Sequence, residues 1–193
     1  MNSQAPIRAH IKNTVLELMQ GDITQEDTDA LVNAANSSLV VGGGVDRAIN
    51  KAAGPQLAEE TSKLGGCEVG NAKITKGYNL KARHVIHAVG PVYIIDPISA
   101  PDWLASAYRR SLEVLTENGL KSVAFPAIST GIYGYPLNEA APIALKAVYD
   151  FVTTAKHDVE LIRFVLFTGD ALEAFVKALN ELAAKHEDIR LES

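Results

Sequence analysis

With 193 residues, 47% of them hydrophobic and 21% charged, the chain is long enough to bury a substantial core in one domain without disulfides. Its net charge of −5 excludes broad, non-specific nucleic-acid binding, which needs clustered Lys and Arg, but not a phosphate ligand held by backbone N–H groups. Cys67 is the only cysteine, no run approaches the roughly 18 apolar residues of a membrane span, and Met1–His10 has no apolar core of signal-peptide length; a cytoplasmic protein is expected.

Thr14–Met19 reads as a strand stopped by Gly21 and Asp22, after which Thr24, with Asp27 three residues on, is positioned to cap a short helical turn. Asp29–Asn33 is a short apolar strand. The spacing of Val45, Ala48, Ile49 and Ala52 predicts a helix over 45–53; Gly54 breaks it, and Pro55 opens a second helix that runs to about Leu64. Ala72–Lys76 and His84–Val89 read as strands, the second apolar enough to be central, with His84 and His87 facing opposite sides. Asp102–Glu117 is an amphipathic helix ended by Asn118 and Gly119. Strand Ser122–Phe125, a helix over 138–154, strand Glu160–Phe167, a helix over 170–185 and a polar tail from His186 to Ser193 complete the chain. Strands and helices alternate, which predicts an α/β sandwich with a mostly parallel sheet in a single domain.

Two glycine-containing loops, each between a strand and a helix, carry the functional signal. The first runs from Asn33 to Asp46 and contains Gly42, Gly43 and Gly44; the second runs from Pro126 to Pro136 and contains Gly131 and Gly134. Glycine lets backbone approach a ligand closely, and a helix N-terminus adds partial positive charge. If both strands lie in one parallel sheet, the loops emerge at the same carboxyl edge and form a cradle suited to a diphosphate. Neither loop matches the dinucleotide or P-loop fingerprint. Asn36 stands ten residues before Asp46. Asp46 falls in the first turn of its helix, where it either complements the helix dipole or accepts a ribose hydroxyl or orients a water. Asn33 and Asn36 suit ribose hydroxyls, but the pattern alone favours turn bonding to their own backbone. Ser129 has no base in its segment, so its loop is expected to offer backbone N–H groups rather than a nucleophile, with Tyr133 able to pack on a sugar. Cys67 reads as a spectator thiol. No His, Cys or carboxylate spacing implies a metal, and no cofactor is expected.

The motifs Gly21–Thr24, Val32–Ser38, Gly42–Asp46, Ala52–Pro55, Ile86–Pro91 and Phe125–Pro136, in that order, resemble the macrodomain family and, within it, the O-acetyl-ADP-ribose deacetylase and mono-ADP-ribosyl hydrolase branch. The resemblance runs from about residue 14 to 183. It implies a three-layer α/β/α fold, with a mixed, mostly parallel sheet, that binds ADP-ribose in a cleft at the sheet edge. By that pattern Asp22 accepts from the adenine amino group with Ile23 beside it, and Phe167 packs on adenine. Gly42, Gly43, Gly44 and Val45, together with Ser129, Thr130, Gly131, Ile132 and Tyr133, hold the diphosphate and distal ribose. Asn36 and Asp46 are the implied catalytic pair, cleaving an ester at the distal ribose. The implied partners are ADP-ribose, O-acetyl-ADP-ribose and ADP-ribosylated proteins; neither a membrane nor nucleic acid is expected. The branch usually has a longer glycine run where this chain has Val41, Gly after the acid where it has Arg47, and His one helical turn on where it has Asn50. Arg47 and Asn50 therefore point to an alternative, a binding module that recognises ADP-ribose without turnover.

Overall fold

The computed structural model describes residues 4–193. Eight strands form one sheet: β1 (Ile7–Ile11), β2 (Thr14–Gln20), β3 (Ala30–Ala35), β4 (Ala72–Lys76), β5 (His84–Val89), β6 (Ser122–Phe125), β7 (Leu161–Leu166) and β8 (Ile189–Leu191), in the spatial order β4-β5-β3-β6-β7-β2-β1-β8. The five central strands from β5 to β2 are parallel to their neighbours, and β4, β1 and β8 add antiparallel edges. Five helices cover the sheet: α1 (Gly44–Ala53), α2 (Pro55–Ser62), α3 (Ala100–Glu117), α4 (Leu137–Thr154) and α5 (Gly169–Lys185).

Period-two alternation along each central strand divides the interior into two cores. Ala30, Val32, Ile86, Val123, Phe125, Phe164 and Leu166 face α3, α4 and α5, and the aromatic rings of Tyr108, Phe125, Phe164 and Phe175 pack together there. Leu31, Val85, Ala124 and Val165, one residue out of phase, face Ile49, Ala53 and Leu57 of α1 and α2. That is the three-layer sandwich expected from the sequence.

Two strands lie where none was expected. Ile7, Ala9 and Ile11 alternate with Arg8 and His10 in β1, which pairs with β2 across the turn at Lys12 and Asn13. The tail expected to be merely polar contains β8, which pairs with β1 and buries Ile189. The turn after β2 is also capped differently. Asp22, not Thr24, is the cap: its Oδ1 accepts from Thr24 N at 2.9 Å and from Thr24 Oγ1 at 2.7 Å over a 3-10 turn at Ile23–Gln25.

Candidate active site

β3 and β6 are adjacent and parallel, so the loops that follow them leave the same edge of the sheet side by side. They flank a cleft of about 630 Å³ that also receives the ends of β2 and β7 and the first turn of α5. Among the described residues, no Lys, Arg or His lines it. Its capacity for an anion lies in the backbone. Among the described residues, the N–H groups of Gly43, Gly44, Val45 and Asp46, at the start of α1, have no hydrogen-bond acceptor, nor do those of Ser129, Gly131, Ile132 and Tyr133 in the second loop. Unpaired backbone donors gathered at one helix N-terminus and one facing loop, open to the cleft, suit two phosphate groups.

The backbone is bent to make this possible. Gly44 has φ +58°, and nothing lies within 4 Å of where a Cβ would stand, so the cleft reaches the main chain. Ser129 takes φ +68° without being glycine, at a cost of about 1 kcal/mol or more. It is buried, and its Oγ has no partner among the described residues. That hydroxyl lies over Gly90 at the end of β5, where a Cβ would come within 2.2 Å of it. Thr130, by contrast, spends its hydroxyl on Ala127 O at 2.8 Å.

At one end of the cleft three donors converge on the buried Asp46 carboxylate. Gly42 N donates to Oδ2 at 2.6 Å, while Asn33 Nδ2 at 2.6 Å and Asn50 Nδ2 at 3.0 Å donate to Oδ1. An ionised carboxylate only accepts hydrogen bonds, so a cage of donors matches it. Asn36 stands opposite: a Cβ placed on Gly42 would lie 3.3 Å from Asn36 Nδ2 and 3.3 Å from Asp46 Oδ2. Asn36 also closes its own turn, donating from Nδ2 to Val40 O at 2.8 Å, which leaves its second N–H free. The turn reading offered for that residue is therefore observed, and the side chain keeps a donor facing the cleft.

Residues 32–144 match the Macro domain family profile. The chain belongs to the macrodomain family. A Macro domain-containing protein of Caldanaerobacter subterraneus, TTE0995, is 48% identical over 171 residues, covering 86% of this chain and 97% of that protein. The ADP-ribose glycohydrolase MACROD2 of Xenopus laevis is 45% identical over 189 residues, covering 95% of this chain; the chain spans 45% of that relative's length. Among solved structures, the Oceanobacillus iheyensis macrodomain with ADP superposes with a TM-score of 0.90 at 40% identity, covering 94% of this chain and 98% of that one. The Trypanosoma brucei macrodomain in complex with ADP-ribose gives a TM-score of 0.80 at 40% identity, covering 85% and 68%.

In this macrodomain every residue expected to touch ligand lines the cleft except Asn33. Asn33 is buried on β3, one face away from the opening, and works beneath Asp46 rather than beside a ribose. At the far end Asp22 keeps its Oδ2 free among the described residues, Ile23 is buried beside it, and Phe167 presents a ring that is 84% exposed. Between the ends the loops nearly meet, with Ile132 Cδ1 3.5 Å from the Cβ position of Gly43. Arg47 is exposed on α1, and the partners of the Asp46 carboxylate among the described residues are Asn33, Gly42 and Asn50. Cys67 is buried, and burial pushes its thiol up, away from nucleophile chemistry.

Sequence reasoning missed Thr168 and Ala171 of the cleft wall, as well as Gly90 and His87 behind it. Thr168 had a local signal: it caps α5, accepting from Ala171 N at 3.2 Å. His87 had its polarity in an apolar central strand and its place in the Ile86–Pro91 motif, neither of which assigns it a role.

Proposed function

We propose that this macrodomain binds ADP-ribose and hydrolyses esters at its distal ribose, both O-acetyl-ADP-ribose and ADP-ribose joined to Asp or Glu side chains. The observation that carries this reading is the pair formed by the Asn36 amide and the Asp46 carboxylate across Gly42, beside two sets of unpaired N–H donors. The free N–H groups take the diphosphate, and Asp22 and the exposed ring of Phe167 take the adenine. A relative named as an ADP-ribose glycohydrolase and a neighbour solved with ADP-ribose support it.

In the proposed reaction, water adds to the acyl carbon, the bond from that carbon to the ribose oxygen breaks, and the ribose oxygen leaves with a proton. The products are ADP-ribose and acetate, or ADP-ribose and a free side-chain carboxylate. Asp46 takes or anchors the water proton, and a water between Asp46 and a substrate phosphate fits the closeness of the acid to the free N–H groups of Gly43, Gly44 and Val45. Asn36 orients the ribose and water with its free N–H.

Acetate release from O-acetyl-ADP-ribose tests this directly. Asp46→Ala is expected to lower kcat by about 100-fold or more while ADP-ribose affinity by calorimetry changes only a few-fold. Equal losses in both would make Asp46 a binding residue. Tight ADP-ribose binding by the wild type without acetate release would instead establish the reader, whose sequence signal was Asn50 and Arg47; against it, Asn50 donates to Asp46 and supports the acid.

A further inference from the structure

A chain of buried polar groups runs from Asp46 away from the cleft, across three strands. The β3–β5 register sets Asn33 opposite His87, and β4 places Thr75 diagonally beside His87 on the same face. Asn33 Nδ2 lies 2.6 Å from Asp46 Oδ1 and 3.2 Å from His87 Nδ1; His87 Nε2 lies 2.9 Å from Thr75 Oγ1; Thr75 Oγ1 donates to Lys76 O at 3.1 Å. Asn33, His87 and Thr75 are all buried.

These contacts have one consistent assignment of protons. The Asn33 amide nitrogen can only donate, so His87 Nδ1 must be bare and its proton must sit on Nε2. Thr75, whose own proton goes to Lys76 O, accepts that Nε2–H. With both N–H groups of Asn33 engaged, its Oδ1 is left without a partner among the described residues. Turning the amide over would place that oxygen against the Asp46 carboxylate at 2.6 Å, a repulsive contact. Burial also pushes the His87 imidazole down to about 4, so at neutral pH it keeps one N–H and one bare nitrogen.

We propose, on the basis of the ester-hydrolysis reading above, that His87 is a positioning residue for Asp46. Its bare Nδ1 holds the Asn33 amide with an N–H aimed at the carboxylate, and Thr75 selects the tautomer that makes this possible. His87 does not line the cleft; it reaches Asp46 only through Asn33.

The test uses His87→Leu, which removes the acceptor, His87→Asn, which restores an oxygen near the Nδ1 position, and Thr75→Val, which frees the tautomer without changing volume. With O-acetyl-ADP-ribose, His87→Leu is expected to lower kcat about tenfold at nearly unchanged KM, and His87→Asn to recover at least half of the loss. Nitrogen NMR of the wild type at pH 7 should show a protonated Nε2 and a bare Nδ1 on His87. Exchange of the Asn33 side-chain amide protons should speed up about tenfold in His87→Leu and by less in Thr75→Val. A protonated Nδ1, unchanged amide exchange in a folded His87→Leu, or equal kcat losses in His87→Leu and His87→Asn would overturn the positioning role. The NMR readouts need no turnover, so a wild type that releases no acetate removes the hydrolase reading while the Asn33–His87 link is still decided.

Discussion

At the scale of single residues, the site is defined by where a side chain is absent. Gly44 and Gly131 both line the cleft and both have open space where a Cβ would stand, but only Gly44 has a positive φ. Gly44→Val therefore combines two effects, bulk in the cleft and a β-branched residue in the left-handed region, and is expected to lose both ADP-ribose affinity and stability. Gly131→Val separates them: affinity should fall about tenfold or more with the unfolding midpoint unchanged, and calorimetry beside thermal melting checks both halves. Gly42→Ala tests the Asn36–Asp46 spacing, since its Cβ would press on both side chains from 3.3 Å. Turnover should drop in that variant while diphosphate binding persists. The glycine loops were legible from sequence because glycine runs between strand and helix have few structural uses. The inward turn of Asn33 was not, because one residue of strand phase decides whether a side chain faces the cleft or lies beneath it.

At the scale of elements, the open side of the β1–β2–β7 sheet carries a ladder of charges in place of a helix. Buried Glu17 sits between Arg8, at 2.8 Å, and Arg163, at 2.6 Å, and Arg163 reaches on to Glu26 at 2.7 Å. Burial alone would raise the Glu17 carboxyl, but the hydrogen bonds from Arg8 and Arg163 outweigh it and hold the group below its ordinary value. Glu17→Ala leaves the partly buried Arg163 paired only with Glu26 and should cost about 2 kcal/mol, measurable by urea unfolding. The strands of this region show the limits of periodicity. Ile7, Ala9 and Ile11 carry a plain period-two pattern; β8 buries only Ile189 of its three residues and has no pattern to detect. What makes β8 a strand is the unpaired edge of β1, at the other end of the chain.

At the scale of the whole molecule, acid stability draws on His87 and Glu17, both of which the fold holds below their ordinary values. His87 is held neutral, at about 4 against an ordinary 6.5, so the unfolded chain binds its proton first as pH falls. Its contribution is complete above pH 6.5, declines between 6.5 and about 4, and levels off below; at about 1.4 kcal/mol per pH unit the loss reaches about 3 kcal/mol. Glu17 has the complementary window: its contribution is present above its ordinary value of 4.5 and is lost as pH falls below it. Urea unfolding between pH 6.5 and 5 should therefore show a decline in the wild type that is absent in His87→Leu. The sequence by itself determined the alternation of strands and helices and the two glycine loops, because turn chemistry and hydrophobic period are local properties of the chain; the pairing of Asn36 with Asp46 came from the resemblance to the macrodomain family. Only the tertiary structure decided that β3 and β6 lie side by side so that their loops share one cleft, that Asn33 turns under Asp46, and that His87 and Thr75 complete its support. Strand order and register are set by burying both faces of the sheet at once, a condition that joins residues far apart in the sequence.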